Sequence, residues 1–180
     1  MIDIQKIKEL TTNSKIIEFA EFVISESGEK EFANYKELDA MKIPRLIPHF
    51  FVFDYRRGID DGLLIHHSGT FMDSFFGENI TGHYEEEYYK SASDKESLID
   101  LYRTAYSSKK TAYACREIDF DINYKKFKHA ESVVFQSSSD GEILDFGLGI
   151  AIYSEAVQNC VENGCRDNQG NCKGQYLLLD

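Results

Sequence analysis

The sequence predicts an α+β domain, an antiparallel sheet with helices packed on one face, running from His49 to Tyr153. Three observations predict it. Strand-like runs come as a pair and then as a trio, with a helical stretch between them, which is how α+β chains are ordered. Within Ile143 to Tyr153, Leu144, Phe146, Leu148, Ile150 and Ile152 alternate with Asp145, Gly147, Gly149 and Ala151, a period of two. Leu98, Leu101, Tyr102 and Ala105 fall at i, i+3, i+4 and i+7, one face of a helix. The chain of 180 residues, 42% apolar, is of single-domain size and can build a core.

The elements follow in order. Asn13-Ser14 supplies a helix N-cap and Gly28 a stop, so residues 14–28 read as an amphipathic helix. Its stripe is Ile17, Ala20 and Ile24, flanked by Ile16 and Val23, and must pack on its own domain or on another copy. Residues 29–48 connect. They hold both prolines, Pro44 and Pro48, which favour extended or turned backbone. His49 to Tyr55 is an aromatic strand, Arg56 to Gly62 a polar turn, and Leu63 to Ser68 a second strand, together a hairpin. Phe71 to Phe76 is a short helix ended by Gly77, and a longer helix runs from Ser93 or Asp94 to about Lys110. Strands are predicted at Thr111 to Phe120, Ala130 to Ser137 and Ile143 to Tyr153, with Ser139-Asp140-Gly141-Glu142 as a turn. Residues 154–163 read as a C-terminal helix and 164–180 as a cysteine-containing tail. Leu177, Leu178 and Leu179 there could add to a sheet edge, dock on a partner or fray.

Composition narrows the function classes. The net charge is -11, from 31 acidic and 20 basic side chains, which disfavours nucleic acid and anionic membrane surfaces. No run approaches ~18 apolar residues, the length of a membrane span. The N-terminus lacks a signal-type apolar run, and the four cysteines are too sparse for a disulfide scaffold; both point to the cytoplasm. His49, His66, His67, His83 and His129 are scattered, and no G-x-S-x-G, H-E-x-x-H or phosphate loop occurs. Glu85-Glu86-Glu87 reads as a solvated face, because adjacent helical residues point in different directions. Catalytic residues are therefore not assigned.

Several segments resemble a PAS domain. Ile43-Pro44-Arg45-Leu46-Ile47-Pro48-His49-Phe50-Phe51-Val52-Phe53-Asp54 is similar to the "LP.LLPHLFLLD" opening of a bacterial PAS subfamily, common in alphaproteobacteria and first described as a domain of unknown function. Ser68-Gly69-Thr70 resembles its Gly-Thr after the second strand. Phe75-Phe76-Gly77-Glu78-Asn79-Ile80-Thr81-Gly82 resembles its "LFGRDLTG" segment, and Leu101-Tyr102-Arg103 the helix that follows. The resemblance spans about residues 15–153, with a PAS-like core at 43–153. His66 stands where the subfamily usually has Arg, and Gln136-Ser137 where it usually has Pro-Leu. It implies five antiparallel strands with helices on one face and flanking helices that dimerise or pass a signal. It further implies a stand-alone sensory or regulatory module that binds a small molecule between sheet and helices and signals through a protein. A small cavity enzyme, hydrolase or isomerase, and a ligand-free scaffold are the alternatives.

The expected pocket is lined by Phe51, Phe53, Ile65, Phe135, Phe146 and Leu148 from the sheet and Phe71, Phe75, Leu98, Leu101 and Tyr102 from the helices. Its polar anchors would be His67 and Tyr102, and its ligand small and hydrophobic. The competing expectation is a filled core, for thirteen phenylalanines can close such a space. Haem would need an axial ligand from His67 or His83 and is disfavoured. Flavin–cysteinyl photochemistry is excluded, since no Cys precedes Cys115. Phe19, Phe22 and Val23 are the expected dimer or partner contact. Cys160, Cys165 and Cys172, spaced C-x4-C-x6-C, are weak metal-ligand candidates that would lack a fourth ligand.

Overall fold

The structure is a computed structural model that describes residues 3–88, 95–122, 125–154 and 174–180. Helix α1 (Ile4–Leu10) starts at Asp3, whose carboxylate accepts from Gln5 N. Helix α2 (Ser14–Ser27) starts at the expected cap, Asn13, and ends at Gly28. The connecting segment contains a two-residue strand β1 (Ala33–Asn34) and 3-10 turns at Ala40–Lys42 and Ile47–His49. The hairpin is β2 (Phe50–Asp54) and β3 (Leu64–Ser68). The insert comprises α3 (Thr70–Phe76), a 3-10 turn at Glu85–Glu87 and α4 (Lys95–Ser108). Strands β4 (Thr111–Ile122), β5 (Lys125–Ser138) and β6 (Leu144–Ser154) form the trio, and β7 (Gln175–Leu179) closes the described chain.

This is an α+β fold; the described residues form four helices and a seven-stranded open sheet in the order β3-β2-β6-β5-β4-β7. All those pairs are antiparallel; β1 alone lies parallel to the end of β5, Ala33 opposite Ser137. Five strands were expected. The sixth is β7, whose leucines do add to a sheet edge, that of β4, with Leu179 opposite Thr111 and Leu177 opposite Tyr113. The seventh, β1, is too short to carry a periodic signal. Helix α1, also unforeseen, has only seven residues in which to show one.

Helices cover both faces of the sheet, not one. Each strand sends alternate side chains to opposite faces, and here both sets are buried. One core gathers Ile7 of α1 and Ile16, Phe19 and Val23 of α2 with Phe50, Val52, Tyr113, Val133, Phe135, Phe146, Leu148 and Ile150. The other gathers Met72 and Phe75 of α3 and Leu98, Leu101, Tyr102 and Ala105 of α4 with Phe51, Phe53, Tyr55, Ile65, Ala112, Ala114, Val134, Ala151 and Tyr153. The glycine face of β6 points at the second core. A Cβ at Gly147 would strike the Tyr55 hydroxyl, and one at Gly149 the Phe51 ring, so the rings of Phe51 on β2 and Tyr55 just beyond it fill the room the glycines leave. Helix α2 lies across the large residues of β6. Its buried stripe is Ile16, Phe19, Ala20 and Val23, turned from the expected one; Ile17 and Ile24 are half-buried. No helix among the described residues is long and apolar enough to cross a membrane.

Candidate functional site: a closed polar seam between sheet and helices

The seam between the sheet and the α3–α4 layer holds a small cavity lined by Phe51, Met72, Glu85, Tyr102, Arg116, Ala130, Ser132, Ala151 and Tyr153. Its volume is ≈10 Å³, which is about one water molecule. Small residues of the sheet, Ala130, Ser132 and Ala151, make the floor. The walls are apolar, but four polar side chains converge: Glu85, Tyr102, Arg116 and Ser132 are each at most 7% exposed.

Each has a structural reason for being there. The backbone N–H of Glu85 donates to Leu63 O at 2.9 Å, pinning the Glu85–Glu87 turn against β3. Of its three carboxylates, Glu85 turns inward. Glu86 accepts from Leu63 N at 3.0 Å and from Arg103 Nη2 at 3.1 Å, while Glu87 accepts from Tyr84 N at 3.0 Å. The acidic run is thus only partly a solvated face: Glu87 is exposed, while Glu85 is buried. Arg116 shares its strand face with Ala112, Ala114 and Ile118, all in the second core. Tyr102 projects from α4, and its hydroxyl meets Ser132 Oγ at 3.0 Å. Burial pushes the Tyr102 phenol above its ordinary pKa and the nearby Glu85 adds to this, while Ser132 and Arg116 act the other way.

The expected pocket set divides. Phe51, Phe53, Ile65, Phe75, Leu98, Leu101 and Tyr102 gather in this core, with Phe71 half-buried against it. Phe75 stacks on Tyr153 with ring centroids 3.7 Å apart. Phe135, Phe146 and Leu148 lie in the other core, beneath α2. Because both faces of β5 and β6 are buried, large apolar residues alone could not reveal which face met which helices. His67 is no anchor. Val52 pairs with His67 but Phe53 with Ile65, so β3 bulges at His66, and both histidines are exposed. Phe19, Phe22 and Val23, expected as an intermolecular contact, are at most 7% exposed within the chain's own core. Phe19 packs edge-on to Phe50 at 5.1 Å. Cys160, Cys165, Cys172 and the predicted helix at 154–163 lie outside the described residues, apart from Ser154, which ends β6.

The first core has its own polar group. Cys115 Sγ lies 3.2 Å from His129 Nε2. Glu131 accepts from the Tyr113 hydroxyl and from Asn13 Nδ2, both at 2.9 Å, tying the α1–α2 corner to β4 and β5. Burial lowers the His129 pKa and favours the neutral ring. Cys115 is 2% exposed, so this thiol–imidazole pair is closed to a substrate. His49, also buried, accepts from Lys15 Nζ at 3.1 Å; burial first and Lys15 second hold its pKa at about 4. Among the described residues no group of three or more His, Cys, Asp or Glu could hold a metal ion.

No protein-family model matches the sequence, and comparison with curated proteins gives no match.

Proposed function

We propose that this chain is a PAS-type sensory or regulatory module, in which Glu85, Tyr102, Arg116 and Ser132 form the sensing seam and a protein partner receives the signal. The observation that carries this reading is the polar quartet, enclosed where the helical insert meets the sheet. Buried polar groups of this kind fix the orientation of a small ligand in an apolar pocket.

Two further observations support it. The order is hairpin, helical insert, then a three-strand meander in one sheet, as the resemblance implies. The segments that carry the resemblance are also joined. Ser68 donates to Asp73 and meets Thr81 Oγ1 at 3.0 Å, and Ile80 N donates to Asp73 at 3.2 Å, so Ser68-Gly69-Thr70 and Phe75–Gly82 act as one unit.

The seam is closed around the volume of a water, so a larger ligand enters only by shifting α3 and α4 from the sheet. That coupling is the signalling step: the ligand favours the opened arrangement and changes the surface offered to the partner. Native mass spectrometry of protein purified from its own host tests this. A bound molecule at one per chain, lost in Arg116→Ala, is the expected result. Its absence, with a Tyr102→Phe protein that pulls down the same partner as wild type, would leave a ligand-free scaffold. The enzyme reading has one observation in its favour, the Cys115–His129 contact. It requires Cys115 to react with iodoacetamide in the native protein.

A further inference from the structure

A second pocket, sharing no residue with the seam, lies at the end of the sheet where β4 begins and β5 ends. It measures ≈330 Å³ and is built from the last turn of α2, the segment leading into β1, the α4–β4 corner and the end of β7. That is within the range of small-molecule sites. Val23, Phe32, Phe135 and Leu179, each buried, provide an apolar floor.

Two observations on the walls specify an occupant. Lys30, Lys109 and Lys110 converge there in a chain of net charge -11. Each ammonium carries three donors, and each is tied to an exposed carboxylate: Lys30 to Glu37 at 2.7 Å, Lys109 to Glu31 at 3.2 Å, Lys110 to Asp180 at 2.6 Å. Exposed pairs of this sort are weak and exchange readily, so donors remain for an anion. Lys109 also holds φ 58°, a left-handed conformation found at no other non-glycine among the described residues. Independently, Gln136 is 7% exposed in the pocket wall. Its Nε2 donates to Lys110 O at 3.0 Å, while its Oε1 is buried with no hydrogen-bond partner among the described residues. A buried acceptor without a donor calls for one.

We infer that this pocket binds an apolar amino acid or dipeptide, its carboxylate on Lys109 and Lys110, its N–H toward Gln136 Oε1 and its side chain on the Phe32–Phe135 floor. The inference does not depend on the seam or on the PAS-type reading.

The probes are L-phenylalanine, 3-phenylpropionate, which lacks the N–H donor, and phenethylamine, which lacks the carboxylate. Amide resonances of the full chain are followed during titration with each. Phenylalanine is expected to bind most tightly and to shift Lys109, Lys110 and Gln136, leaving Tyr102 unmoved. Lys109→Gly keeps the backbone turn and removes one ammonium, and should weaken both carboxylates about tenfold. Gln136→Met should weaken phenylalanine to the level of phenylpropionate and leave phenylpropionate unchanged. Equal binding of phenethylamine, no shift at these amides with any probe, or Lys109→Gly binding like wild type would each overturn the inference.

Discussion

The Tyr102 hydroxyl and Ser132 Oγ meet at 3.0 Å where α4 crosses β5, joining the helical insert to the sheet within the seam. Replacing Tyr102 by Phe removes this contact and takes that partner from the buried Ser132 hydroxyl. A loss of about 1 kcal/mol is expected, measured as a lower urea midpoint at unchanged slope.

Alkaline pH should destabilise the fold before any backbone chemistry intervenes. Burial raises the phenols of Tyr55 and Tyr102 above their ordinary value. Unfolded tyrosine ionises near pH 10, so above that pH the unfolded state releases protons that the folded state retains. Stability is full below that point and falls as pH rises beyond it. Phenolate absorbance should therefore appear together with the loss of circular dichroism, and Tyr55→Phe/Tyr102→Phe should flatten the fall.

Mild acid should destabilise it too, through His49. Its pKa is held at about 4 by burial and by Lys15, against an unfolded value near 6.5. Between those values the unfolded state binds a proton that the folded state refuses, so stability falls as pH drops from 6.5 towards 4. Lys15→Met removes the repulsive charge, raises the His49 pKa and narrows that loss. Thermal midpoints across this range would read it, and parallel curves for both proteins would count against His49.

Gly149→Ala should cost about 1–3 kcal/mol, since the new methyl strikes the Phe51 ring. Phe51→Leu in the same chain should recover part of that loss, giving a coupling in a double-mutant cycle. Additive effects would show that the ring and the glycine do not share space.

Phe19→Ala should cost about 3–5 kcal/mol, as expected for a fully buried ring, and by the same amount at every protein concentration. A midpoint that moved with concentration would mean that α2 packs on a second copy instead of its own sheet.

The elements with strong periodicity were legible in the sequence: α2, α4 and the five strands β2 to β6 stand close to where spacing put them. What could not be read was which side of the sheet each helix took. Alternation separates two faces without labelling them, and in β6 the large face fitted either layer. Phe146 and Leu148 were therefore assigned to the wrong helices. Half of the seam was readable. Tyr102 emerged from helical spacing, and Arg116 sat in plain alternation with Ala112 and Ala114, a charge on an apolar face that should itself have marked the site. Glu85 was harder, because three successive glutamates look alike until the bridge between Leu64 and Tyr84 fixes which one turns in.

The pairing of Phe51 and Phe53 on β2 with the glycines of β6 also acts as a key for strand register. Phe51 faces Gly149 and Phe53 faces Gly147. A slip of two residues one way would bring Phe51 onto the methyl of Ala151, and the other way would bring Phe53 against Asp145. A slip of one would exchange the two faces of the strand entirely. Misaligned pairings of these two strands are therefore rejected by shape and charge at the centre of the sheet, independently of the loops that connect them.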